Sequence, residues 1–409
     1  MRYLFSALVL SLLAAPARAE DWPQWLGPLR TGATTRKIEP WKELPKPLWT
    51  ADIAEGHSSP IAADGKVFLH TMGADNTSEV LTAWTADGKQ VWTAKYAKDA
   101  FKTPFGNGPR ATPCYADGRV YAFGITGVLV CVDAKDGKIV WQVDTLKTFG
   151  SKNLFFGISS SPAIVGDTVV VMVGGKGAGI VAFDRKTGKR VWTATDDAAS
   201  YAAPSLASDS KSIVTLSGSH LRAISADGKP LWEKAFKDLI NESSTTPVLV
   251  GDAVIASSVT LGAIGVRATK DGDGYKVEEI WRNTDLTCYF STPIVLADSK
   301  HMLLVKGRAT LRNATADLVC VEIATGKVMW TREKIGTYHA SLTRLADGNL
   351  LLLDDSGSLA LIEGNAKEYK ELARGSVAKA KGDLWASPAF LDGKVLIRNK
   401  NELMAFELK

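Results

Sequence analysis

From residue 58 onward the chain is written in short apolar runs separated by polar, glycine-bearing turns. One period shows the pattern. A run over residues 58–63 meets Asp64-Gly65, Val67 to Thr71 and Leu81 to Thr85 follow, and Asp87-Gly88 leads into Gln90 to Thr93. Runs this short, alternating or wholly apolar, predict strands rather than helices. The Asp-Gly and Thr-Gly pairs suit hairpins, because glycine supplies the left-handed residue and aspartate bonds nearby backbone amides. Two marks recur with the pattern. The first is a small-residue run ending in proline: HSSP, RATP, SSSP, YAAP, STTP, FSTP and WASP, with HASL at Leu342 between the last two. The second is a tryptophan closing the glycine turn, as in DAKDGKIVW and DRKTGKRVW, which gives Trp49, Trp92, Trp141, Trp192, Trp232, Trp281 and Trp330. Each mark returns about every 47 residues.

Four antiparallel strands at that period predict an all-β fold, an eight-bladed β-propeller of four-stranded antiparallel blades. The proline-type marks number eight and the tryptophans seven, with Leu372 standing where the seventh blade's indole is expected. The last blade reads as three strands, starting at Trp385, Lys394 and Glu402. Its outermost strand is expected from the other end of the chain, Lys46 to Thr50, so that an N-terminal strand completes the ring. The seven tryptophans are structural docking residues in this reading, wedged between neighbouring blades with the indole N–H on a backbone carbonyl. Burial of each is worth roughly 4–6 kcal/mol gross, an upper figure because the reference is an extended chain.

Three segments follow. Residues 1–19 have a positive Arg2, an apolar run from Leu4 to Ala15 and the small-x-small site Ala17-Arg18-Ala19, which reads as a signal peptide. The mature protein is therefore expected in the periplasm or secreted, after cleavage near Ala19. Residues 20–45 form a leader rich in proline and glycine that carries Trp22, Trp25 and Trp41, expected to dock on the propeller of residues 46–409. A sharper version has these indoles covering one mouth of the channel. No second apolar run is long enough to span a bilayer, and no cysteine near the cleavage site can take a lipid anchor. Losing residues 1–19 lowers the formal charge from +5 to +3, too balanced for nucleic-acid binding. A monomer is expected.

The repeated D-x-x-T/D-G-K-x-x-W mark resembles that of the quinoprotein (pyrroloquinoline quinone, PQQ) dehydrogenase-like propellers, over Lys46 to Lys409. One branch of that group implies alcohol oxidation with PQQ and calcium; the other, which includes the outer-membrane assembly lipoprotein BamB, implies a scaffold without cofactor. The opening DWPQWLGPLRTG, Asp21 to Gly32, is similar to exported, single-domain PQQ-like propellers of planctomycete-type bacteria. The chain departs from both branches. The dehydrogenases stack PQQ on a disulfide between adjacent cysteines, whereas Cys114, Cys131, Cys288 and Cys320 are dispersed, and the lipoprotein's lipidated cysteine is missing. No cofactor is expected, and the cysteine pattern does not support PQQ with calcium. The expected function is an exported, non-catalytic scaffold for a protein or carbohydrate-like ligand; the alternative is a quinoprotein oxidoreductase with an atypical site.

One position gives candidate site residues. Three residues before the proline-type marks stand His57, Arg110, Ser159, Tyr201, Ser244, Phe290, His339 and Trp385, which differ from blade to blade where the tryptophan mark does not. With the innermost strand starting just before each mark, they are expected to ring one mouth of the axial channel. His57, Arg110, Tyr201, Phe290, His339 and Trp385 are the ligand-binding candidates. Two residues further back lie Glu55, Glu242 and Asp383, a candidate metal set. Other motifs are bland. Asp271-Gly272-Asp273-Gly274 reads as a hairpin turn rather than a calcium loop. The glycine-rich 124–127 and 174–179 read as loops, and the histidines have no metal-ligand spacing.

Overall fold

The computed structural model describes residues 21–207, 211–307, 314–377 and 384–409. Residues 1–19, read above as a signal peptide, and Asp383 of the candidate metal set lie outside them. The described strands form eight antiparallel four-stranded sheets, each following the chain from innermost to outermost strand except one. Blade one shows the rule: Ile61–Ala63, Lys66–Met72, Ser78–Thr85 and Gln90–Ala97. In blade eight, Ala389–Leu391, Lys394–Arg398 and Glu402–Glu407 are completed by Trp49–Asp52, with Trp49 opposite Ala405 and Asp52 opposite Glu402. The closing strand is thus 49–52 rather than the expected 46–50. The only helix among the described residues is the short Thr145–Phe149, capped by Asp144 and ended by Gly150 in the left-handed region.

Innermost strands begin after each proline mark, not before it. They start at Ile61, Cys114, Ala163, Ser205, Val248, Ile294, Ala340 and Ala389, so only the HASL blade, which lacks the proline, begins early. Proline gives no amide to a ladder, and the residue ahead of it is held in extended but unpaired backbone. What those pre-proline residues do instead is join blades. The Ser387 amide donates to Ser59 Oγ at 2.9 Å, Ser59 N to Thr112 Oγ1 at 3.0 Å, and Thr112 N to Ser161 Oγ at 2.9 Å. Thr246 N continues to Thr292 Oγ1 at 3.2 Å. A hydroxyl one residue before proline therefore accepts from the same position of the preceding blade. At Ala203 there is no hydroxyl to accept.

Apolar clusters fill the clefts between blades. One joins Val67 and Leu69 of blade one to Val395 and Ile397 of blade eight; another joins Tyr121 and Phe123 of blade two to Val169 and Val171 of blade three. The mark tryptophans close these clefts on the outside. Trp49, Trp92, Trp141, Trp192, Trp281 and Trp330 donate their indole N–H to Ala86, Ala134, Arg185, Ala226, Ile323 and Asn365 carbonyls at 2.7–3.2 Å. Each acceptor belongs to the outer turn of the next blade. In five of the six pairs the ring lies so close under that turn's glycine that a methyl group there would collide with it.

Two blades break the rule, for different reasons. Trp232 has no such partner among the described residues, because the outer hairpin of blade five, Gly262–Asp271 with Gly274–Asn283, carries its turn out to Asp271 and Gly274, away from the cleft. In blade seven, Ala373 faces Leu361 at the register where Trp141 faces Cys131, and Leu372 is the bulged residue between Ala373 and Glu371. Leu372 is therefore one residue off the tryptophan position. The neighbouring blade eight has no hairpin joining its outer two strands, since the last is Trp49–Asp52, so no turn waits for an indole there. Trp41 and Leu44 of the leader pack into the same cluster as Ala373 instead.

The leader does more than dock on the outside. Trp22 exchanges backbone hydrogen bonds with Ala62 of blade one and packs its ring, tilted by 50°, 5.1 Å from that of Phe390 in blade eight. The Pro23 carbonyl accepts from Tyr115 N in blade two. The buried Arg30 guanidinium donates to the Pro162 and Pro204 carbonyls at 3.1 and 2.9 Å, in blades three and four. Trp25 Nε1 donates at 2.9 Å to Thr246 Oγ1 of blade five. Gly32 abuts Ile294 of blade six, and the Thr34 amide bonds the Arg344 carbonyl of blade seven. Arg36 reaches Leu408 O in blade eight at 2.8 Å. Every blade is touched.

Candidate functional site: the axial cavity

The segments ahead of the proline marks converge on the axis and enclose a cavity of about 540 Å³. His57, Arg110, Tyr201, Phe290 and Trp385 line it, together with Ser159 and Ser244. His339 does not. It lies behind Phe290, its ring stacked at 4.9 Å and 11°, with Nδ1 2.7 Å from Ser291 Oγ, and Tyr338 holds the wall instead. The idea that residues two further back share a strand face fails, because these segments are not strands. Glu242 does line the cavity, from blade five. Glu55 is tied behind the wall by the Asn107 amide at 2.6 Å and by Lys400 at 3.7 Å. Blades one and five face each other across an eight-bladed ring, so Glu55 and Glu242 form no common metal set, and the described residues contain no group of three ligating side chains.

Aromatic rings form two arcs around this space. His57 meets Trp385 at 4.8 Å and Trp385 meets Phe290 at 5.7 Å. Phe105 meets Phe156 at 5.3 Å, and Phe156 meets Tyr201 at 5.5 Å. Phe105, Phe156, Tyr289, Tyr338 and Trp25 were not candidates by position. The density of phenylalanine in FKTPFG and NLFFG, the long connections ahead of blades two and three, was the available clue. Trp25 puts the leader into the cavity wall. The rim ends in exposed apolar residues, Phe155 and Ile240.

Charge is unevenly spread. Arg110 fastens its own loop, donating to the Phe105, Gly106 and Gly108 carbonyls at 2.9–3.3 Å, and burial lowers its pKa to about 10 against the raising pull of Glu55 and Tyr201. Arg398 is fully buried behind the same side, surrounded by five carbonyl oxygens and no carboxylate, and burial lowers it to about 9. Burial first, then the Arg110, Arg398 and Lys400 charges, pull His57 down to about 3; the Phe105 carbonyl opposes this without reaching hydrogen-bonding geometry. Neither His57 ring nitrogen has a partner. On the opposite side burial raises Glu242, partly offset by the Tyr289 hydroxyl, and Glu242 Oε2 is also unpartnered.

The family described as outer membrane protein assembly factor BamB matches residues 77–299. The chain belongs to this family. A BamB of Burkholderia pseudomallei is 24% identical over 367 residues, covering 86% of this chain and 84% of that one. A quinohemoprotein alcohol dehydrogenase of Pseudomonas putida is 27% identical over 232 residues, but these are 47% of this chain and 30% of the enzyme. The solved quinohemoprotein alcohol dehydrogenase of Comamonas testosteroni superposes with a TM-score of 0.70 at 13% identity, covering 95% of this chain and 80% of that one, a likeness of fold. Membership of the BamB family accounts for the ring and leaves the cavity to be read from its own residues. The four cysteines are buried in or beside blade strands, and among the described residues that line the cavity there is no cysteine and one carboxylate, Glu242.

Proposed function

We propose that this BamB-family propeller is an exported, non-catalytic binding module that takes its ligand in the axial cavity. What carries the reading is a contrast around the ring. The pre-proline hydroxyls and the indoles repeat because they hold blades together, whereas the residues facing the cavity change from blade to blade and include the buried His57, with neither ring nitrogen partnered, and Glu242, whose buried Oε2 is unpartnered. A wall of apolar rings with a few convergent polar groups is the composition of a recognition site. No nucleophile with a positioned base lies among them, and no helix of the described residues is long and apolar enough to cross a membrane. A protein partner can use the same mouth through the exposed rim. The test is capture from native periplasmic extract by the wild type and by His57→Ala/Trp385→Ala. Loss of the captured species with an unchanged melting temperature is expected; unchanged capture moves the site elsewhere. The rival reading, a quinoprotein oxidoreductase, requires saturable uptake of added PQQ and calcium with alcohol-dependent dye reduction.

A further inference from the structure

The cavity is bipolar as well as aromatic. Among the described residues, its blade-one side gathers Arg110, Arg398 and Lys400 against one carboxylate, Glu55, an excess of positive charge. His57 stands at that side, buried, lining the cavity, with both nitrogens unpartnered. Kept neutral by its surroundings, the imidazole can donate one hydrogen bond and accept another. Across the ring, blade five presents Glu242, with Oε2 unpartnered. Behind Glu242, Asp238 is committed to its own loop, accepting from the Ile240 and Glu242 amides at 3.1 and 3.0 Å and from Thr260 Oγ1 at 2.5 Å. Tyr201 lines the same cavity, its hydroxyl accepting from Phe156 N at 3.3 Å and feeling both Arg110 and Glu242. A neutral sugar would bring no counter-charge to Arg110 or Glu242, and a simple anion would use neither Glu242 nor the rings.

We infer that the axial cavity recognises a small zwitterion with an apolar body, its carboxylate set against Arg110 and His57, its ammonium against Glu242, and its body between the two aromatic arcs. Free hydrophobic dipeptides are the simplest molecules of this class, and the cavity has the size that takes such ligands. The inference rests on the axial cavity being the ligand site.

The experiment is calorimetric titration of the full mature chain with phenylalanyl-phenylalanine, its N-acetyl form and its C-terminal amide. The free dipeptide is expected to bind saturably, and each cap to weaken it about tenfold or more, the scale of a charged hydrogen bond. In Glu242→Gln, which keeps the shape of a side chain whose Oε2 has no partner, the acetyl penalty should disappear while the amide penalty stays. Equal binding of all three forms, no binding of the free dipeptide, or an acetyl penalty undiminished in Glu242→Gln would each overturn the assignment. If no dipeptide binds yet His57→Ala/Trp385→Ala still loses its natural ligand, the zwitterion falls and the binding module stands. If neither is affected, both fall.

Discussion

A hydroxyl one residue before proline has a narrower task than the proline beside it. Thr112 Oγ1 accepts the buried Ser59 amide of the neighbouring blade, so Thr112→Val should strand that donor and cost about 1–3 kcal/mol in urea unfolding, while Thr112→Ser costs less. Tryptophans should divide likewise. Trp281→Ala, which removes a ring packed under Gly326 and bonded to Ile323 O, should cost about 3–5 kcal/mol, and Trp232→Ala, without such a turn above it, clearly less. Ala373→Trp should destabilise by about 1–3 kcal/mol, because Leu44 and Trp41 already occupy the surroundings. The buried histidines add a pH dependence. His57 and His339 are held down to about 3 by burial from an ordinary value of 6.5. The unfolded chain therefore binds more protons than the folded one below pH 6.5, and stability falls as pH drops from there toward 3. Each histidine should contribute a loss of about 2–3 kcal/mol between pH 6.5 and 4.5, and His339→Gln should flatten that slope. The indoles and hydroxyls were legible as repeats. Which histidine faces the cavity was not, because one residue of offset, Tyr338 against His339, is decided by a loop and not by a strand's alternation.

Strands and turns were the most legible layer, since hairpin glycines and apolar runs are local chemistry. The blade count and the origin of the last outer strand followed from them. Inner-strand starts were less legible, because proline shifts pairing past itself, and so was the extended hairpin of blade five, whose exposed residues Lys270 to Lys276 are polar or glycine apart from Tyr275. The closing strand carries a consequence of its own. Deleting Trp49 to Asp52 would leave Glu402–Glu407 as an unpaired edge open to other chains. Such a variant should elute earlier than the wild type in gel filtration, whereas replacing Lys46 and Pro47 by serine, just outside the paired register, should leave the elution volume unchanged.

For the whole molecule, the leader matters more than its twenty-odd residues suggest. Its composition announced an ordered, aromatic segment but could not say where that segment lies, because its contacts, from Ala62 to Leu408, are distant in sequence and mostly to backbone. Gly32 shows how tightly it is placed. It has a φ of 67° and no room for a Cβ beside Ile294, so Gly32→Ala should loosen the segment and expose it to protease.

A ring of repeats ordinarily answers to nearest neighbours, each unit surviving or melting with the two beside it. A segment of chain in contact with all eight units changes that graph from a cycle into a wheel, in which the loss of any one rim member is felt at the hub. Unfolding of the intact chain should therefore be a single transition by every probe, with no partly melted ring populated. Cutting the spokes with Arg30→Met and Trp25→Ala together should spread it into separable steps, measurable as fluorescence and circular dichroism curves that no longer coincide.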